Sequence, residues 1–190
     1  LSQTAKSYEH CEKLKNYIAS SSNEQAKSQV DLYYDGCRFR VLVSSKSKNE
    51  KECEKFSNEQ FKGFCYTSVA VESEMPELCA KGMGDTGPDF EECLAGVAIK
   101  KNDFSICQDS DKYLSKEDVC PTCSNEEMKN IDDFYNAIEN GCLINYAGST
   151  NDTRACEAMK GNNGWCYKLV ASKLKDENYC ERISNEENAS

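Results

Sequence analysis

The feature that most constrains this chain is a spacing: a cysteine, an alanine five positions on, and a second cysteine fourteen after the first. It occurs at Cys65/Ala70/Cys79, Cys93/Ala98/Cys107, Cys142/Ala147/Cys156 and Cys166/Ala171/Cys180. A looser copy runs from Cys37 through Leu42 to Cys53, sixteen apart, with the extra residues in the Ser/Lys-rich stretch 44–48. A fixed internal period of this kind marks a repeat architecture, in which each unit buries its apolar face only against its neighbours.

Within a copy the apolar residues recur at helical intervals. Phe61, Cys65 and Val69 are four apart, with Tyr66 and Ala70 beside them; Phe90, Cys93, Leu94, Val97 and Ala98 follow the same rule. That is one apolar stripe on an otherwise polar helix. Asn102-Asp103, Asn151-Asp152 and Asp176 interrupt the stripes, and Asp103 can cap a following helix. Each copy is therefore expected to be a longer helix, a tight turn and a short helix. The alanine belongs where the two helices approach most closely, because a larger side chain would push them apart. The expected fold is all-α: a disulfide-stapled αα-hairpin repeat array, or short α-solenoid.

One domain, 1–190, is expected. Residues 1–30 hold a half-repeat, Tyr8-Glu9-His10-Cys11-Glu12-Lys13-Leu14, similar to Tyr179-Cys180-Glu181-Arg182-Ile183. Repeats follow at about 31–57, 58–83 and 86–110, then a degenerate or inserted stretch 111–141, repeats 142–160 and 161–184, and a frayed tail 185–190. In the degenerate stretch Cys123 aligns as a first cysteine and Ala137 as its partner. Gly161-Asn162-Asn163-Gly164 reads as a turn.

Thirteen cysteines in 190 residues point to an oxidising compartment, extracellular or at the cell surface. Any signal peptide is expected to be already removed. The longest apolar run, Leu94 to Ile99, is far too short to span a bilayer. Two pairings fit the repeat. The constant spacing favours closure of each unit on itself: Cys37–Cys53, Cys65–Cys79, Cys93–Cys107, Cys142–Cys156 and Cys166–Cys180. The alternative ties each short helix to the next long one: Cys53–Cys65, Cys79–Cys93 and Cys156–Cys166. A bridge closing a loop of this size stabilises by roughly 3 kcal/mol, and helices this short are marginal without such support.

The preferred scheme leaves Cys11, Cys120 and Cys123 unpaired or available between subunits. Their competing readings are a structural bridge with a leftover thiol, an intermolecular disulfide, a redox-active Cys120-Pro121-Thr122-Cys123, and a zinc site from His10, Cys11, Cys120 and Cys123. The redox motif would need a preceding strand and a βαβ setting; Lys116-Glu117-Asp118 precedes it instead.

The net charge of −10 argues against nucleic acid, which needs clustered Lys and Arg. His10 is the one histidine, so no catalytic triad can be argued around it. Acidic pairs such as Glu91-Glu92, Glu126-Glu127 and Asp132-Asp133 arise freely among 33 carboxylates and read as solvated helix faces. Asp109-Ser110-Asp111 opens like a calcium loop, but Tyr113 and Leu114 fall where a ligand and a glycine are required. No catalytic residue, metal or other cofactor is expected. Asn151-Asp152-Thr153 and Asn188-Ala189-Ser190 are glycosylation candidates at Asn151 and Asn188. Tyr66, Trp165 and Tyr167 stand beside repeat cysteines and are expected to pack on the disulfides.

The Cys-Tyr-x-x-Val-Ala … Cys-x-x-Ile unit resembles the short cysteine-bearing αα-hairpin repeats of secreted, uncharacterised prokaryotic proteins and lipoproteins. More distantly it is similar to TPR and Sel1-like solenoids, without the Gly-rich signature of Sel1 repeats. The resemblance covers about 31–107 and 142–183. It implies a superhelical scaffold for protein–protein contact with no inherited catalytic residues. The expected function is that of a non-enzymatic extracellular structural or interaction protein. Its partner would be another extracellular protein or itself, head to tail, in a filament or surface layer. The alternatives are a cysteine-rich Cu(I)- or zinc-binding protein and, behind it, a thiol oxidoreductase.

Overall fold

The computed structural model describes residues 2–83, 90–115, 131–176 and 178. All regular structure among them is helical, with no β-strand. They divide into two compact units, Leu1–Pro88 and Asp89–Ser190. The division falls between the second and third full copies of the repeat.

The first unit holds α1 (Ser2–Ala19), α2 (Glu24–Ser28), α3 (Val30–Ser44), a 3₁₀ turn Glu50–Lys55, α4 (Glu59–Ser73), a 3₁₀ turn Pro76–Leu78 and α5 (Cys79–Gly82). The second holds α6 (Phe90–Lys101), α7 (Ser105–Gln108), α8 (Ser110–Tyr113), α9 (Ile131–Thr150), α10 (Arg154–Glu157) and α11 (Gly164–Leu174). In the four copies described through their second cysteine, a long helix, a reversal and a short helical segment follow in that order. The repeat residues Leu42, Ala70, Ala98, Ala147 and Ala171 are all buried.

One reversal is used in every copy. Lys46, Glu74, Asn102, Asn151 and Lys175 all have positive φ, between 50° and 61°. Each lies four residues after the repeat alanine, or after Leu42 in the first copy. The next N–H then reaches back to the repeat residue's carbonyl: Ser47 to Leu42 at 3.2 Å, Met75 to Ala70 and Asp103 to Ala98 at 2.9 Å, Asp176 to Ala171 at 3.2 Å. This is a left-handed helix stop that satisfies an otherwise orphaned carbonyl. The same following residue starts the return leg. Asp103, Asp152 and Asp176 each accept from the N–H two residues on, at 3.0–3.1 Å. In the second copy Pro76 opens the short segment instead, its fixed φ suiting a first helical position. Side-chain caps start helices where the sequence provides them: Asn23 opens the short α2, accepting from Ala26 N–H, and Asn58 the long α4, accepting from Phe61 N–H.

The preferred disulfide pairing is overturned. Cys37 bonds Cys11, Cys53 bonds Cys65, Cys107 bonds Cys142, and Cys156 bonds Cys166. Cys79 and Cys93 are also disulfide-bonded. None of Cys37–Cys53, Cys65–Cys79, Cys93–Cys107, Cys142–Cys156 or Cys166–Cys180 can therefore form. Cys11 is not spare: it closes the first junction, with Cα atoms 5.7 Å apart. The reason is reach. A long-helix cysteine stands nine residues before the reversal, about 13 Å of rise, and the trailing cysteine in the regular copies only five after it, about 8 Å. Their Cα atoms cannot come within the 7 Å or so that a disulfide tolerates. The trailing sulfur faces the following long helix instead. Cys120, Cys123 and Cys180 lie outside the described residues, as do Asn188 and the tail 185–190.

A second correction concerns the degenerate stretch. No unit boundary falls at 141/142, because α9 runs unbroken from Ile131 to Thr150. Ala137, expected in a short helix opposite Cys123, is exposed on it. Ile131, Tyr135, Ile138, Cys142 and Tyr146 instead form one buried stripe at intervals of three and four. Gly141 does not break the helix. A Cβ there would stand 3.0 Å from Cγ of Glu91, so the glycine admits α6 at close range.

Candidate binding groove and the clamps around it

In the first unit the segment leading into α4 is held on α3 by two buried charged residues, Asp35 and Arg38, about one helical turn apart. Asp35 accepts from Ser57 and Asn58 N–H, both at 2.8 Å. Arg38 donates to the Lys55 carbonyl at 3.0 Å and lies 3.5 Å from Glu52. Its guanidinium sits 5.3–5.7 Å from the ring centroids of Tyr8, Tyr34 and Phe56, a stacking that partly replaces lost hydration. Burial, followed by the Glu52 charge, raises the Tyr8 hydroxyl above its ordinary value; burial and the hydrogen bond to Glu12 raise Tyr34.

The second unit has a counterpart. Asn140 brackets Lys160, accepting from its backbone N–H at 3.1 Å and donating to its carbonyl at 2.9 Å. The Lys160 ammonium lies 2.7 Å from the buried carboxylate of Glu139. These residues fix loops to helices and bring no nucleophile to a base.

A concavity of about 820 Å³ lies in the first unit, between α1, α3 and α4. Leu14, Leu32, Tyr33, Phe39, Val41 and Phe61 line it. The Cys11–Cys37 bridge forms part of its wall through Cys37. Leu14, Leu32 and Tyr33 are each about 40–50% exposed, so apolar surface faces solvent here. His10 and Arg40 complete the lining. The size and chemistry are those of a small-molecule or peptide site. Sequence reasoning missed this groove. His10, weighed as a metal ligand and as a catalytic base, lines it instead.

Sequence-derived candidates fare unevenly. Among the described residues no three of His, Cys, Asp and Glu group to hold a metal. The His10/Cys11/Cys120/Cys123 zinc set loses Cys11 to its disulfide. Tyr66 and Tyr167 are buried beside the cysteines, but Trp165 is 62% exposed, its ring under the Lys168 ammonium at 5.4 Å. The expectation that Trp165 packs on a disulfide is therefore wrong: one residue before Cys166, it falls on the outer face of α11. Asn151 is exposed at its reversal. Among the described residues no helix is long and apolar enough to cross a membrane. No protein-family model, curated protein or solved structure matches the chain.

Proposed function

We propose that this chain is a non-enzymatic extracellular scaffold for protein contact, a short disulfide-stapled helical solenoid that adds copies of itself head to tail. The observation that carries the reading is the junction disulfide. All ten cysteines among the described residues are oxidised, and those pairs whose partners are assigned join one helical segment to the following long helix. Stacked units of this kind contact only neighbours and offer extended surfaces. Thirteen cysteines less these ten leaves Cys120, Cys123 and Cys180. These three, rather than Cys11, are the candidates for a bond to another chain. A heterologous contact that does not close makes filaments.

Sedimentation at rising concentration, with electron microscopy of the same sample, tests the assembly. Concentration-dependent growth is expected, and a clean monomer throughout would overturn head-to-tail association. Titration of thiols in the unreduced, denatured chain tests the scaffold itself. At most three reactive thiols are expected; near-complete reactivity would favour the Cu(I)- or zinc-binding reading instead.

A further inference from the structure

We propose that the groove between α1, α3 and α4 binds a single-chain amphiphile with a carboxylate head, of the medium-chain fatty-acid class. This goes beyond the scaffold role and does not depend on assembly. The argument begins with helix direction. Cys11 bonds Cys37, Glu12 accepts a hydrogen bond from Tyr34, and Lys15 pairs with Asp31 at 3.1 Å. Rising numbers on α1 meet falling numbers on α3, so the two helices are antiparallel. His10 therefore lies at the Arg40 end of the groove and Leu14 at the Leu32 end. The groove is polar at one end and apolar at the other, and Leu32 to Arg40 spans about 12 Å of helix.

Charge supports the same occupant. The chain carries 33 carboxylates, yet among the described residues no Asp or Glu lines this groove, and the guanidinium at its polar end is that of Arg40. Arg40 is exposed and has no ion pair among the described residues. Arg38, two residues earlier and on another face of α3, is instead committed to Glu52 and the Lys55 carbonyl. A guanidinium prefers a carboxylate it can grip with two N–H groups. The volume of about 820 Å³ lies within the range of ligand pockets. The half-exposed Leu14, Leu32 and Tyr33 are the apolar surface that an alkyl chain would cover.

Calorimetric titration of the whole protein with dodecanoate, below its micelle concentration, tests the proposal. Saturable binding at one site per chain is expected. Affinity should fall two- to fourfold for each methylene removed along a series down to octanoate. Arg40→Gln should weaken dodecanoate about tenfold while leaving the neutral alcohol of the same chain length unchanged. Leu32→Asn, at a half-exposed position, should weaken both, with the circular dichroism spectrum unaltered. Equal affinity for acid and alcohol, no change on Arg40→Gln, or no saturable binding would overturn it. So would binding of an acidic amphipathic peptide helix where dodecanoate fails.

Discussion

Lys46, Glu74, Asn102, Asn151 and Lys175 hold one backbone state that L-residues adopt at a cost. Only Asn tolerates it comparatively well, so the lysines and the glutamate carry strain that glycine would remove. Glu74→Gly is expected to stabilise the protein by about 0.5–1 kcal/mol, read as a higher urea midpoint; Asn102→Gly should gain less. Arg38 makes the opposite case. Replacing it with alanine strands the Lys55 carbonyl and leaves Glu52 with only the Lys55 ammonium, at a cost of about 1–3 kcal/mol. Asp152 supplies a pH dependence. The side-chain hydrogen bond from Arg154, against some desolvation, lowers its carboxyl below the usual value. A carboxyl depressed in the folded state contributes stability above its unfolded value and loses it as pH falls. The stability gap between the parent protein and Asp152→Asn should therefore be fully present near about pH 6 and shrink as pH drops below about 4. A gap that stays constant would show that Asp152 contributes nothing through its charge.

At the scale of elements, length decides what each segment can do. α7, α8 and α10 have four residues each, far below what a helix needs to persist alone. α7 and α10 are held by the reversal before each and by the disulfide that each carries, while α8 follows α7 directly through Asp109. Breaking a junction should cost stability in proportion to the logarithm of the loop it closes. Cys107–Cys142 spans 35 residues and Cys156–Cys166 spans 10. Paired alanine substitutions should therefore cost about 4 and about 3 kcal/mol respectively, measured by chemical unfolding. Close helix packing adds a steric condition. A Cβ on Gly148 of α9 would stand 2.7 Å from Cδ2 of Leu169 on α11. That leucine must shift for Gly148→Ala to fit, and a loss of about 1–3 kcal/mol is expected.

At the scale of the whole molecule, the acidic surface and the oxidised cysteines act together. A net charge of −10 opposes compaction by self-repulsion, and covalent links offset it by restricting the unfolded chain. Reduction under non-denaturing conditions should therefore unfold most of the helix, followed by circular dichroism, and added salt should restore part of it. Persistence of the full helical signal after complete reduction would contradict the premise that these short helices depend on their bridges.

Much of this was legible from residues alone. Apolar stripes at intervals of three and four dictated helices, Asn102-Asp103 and Gly161-Asn162-Asn163-Gly164 dictated stops, and the alanine after each cysteine dictated burial. Those are local or near-local constraints, written in neighbouring positions. Disulfide partners were not, because a constant spacing of fourteen is a property of the chain, whereas bonding depends on which sulfurs are level in space. The continuity of α9 was hidden for a related reason: aligning the cysteines puts a unit boundary before Cys142, whereas the buried stripe of Ile131, Tyr135 and Ile138 carries the helix straight through it. The groove was least legible of all. Leu14, Leu32, Phe39 and Phe61 are unremarkable members of separate stripes, and only the antiparallel docking of α1 on α3 gathers them under Arg40.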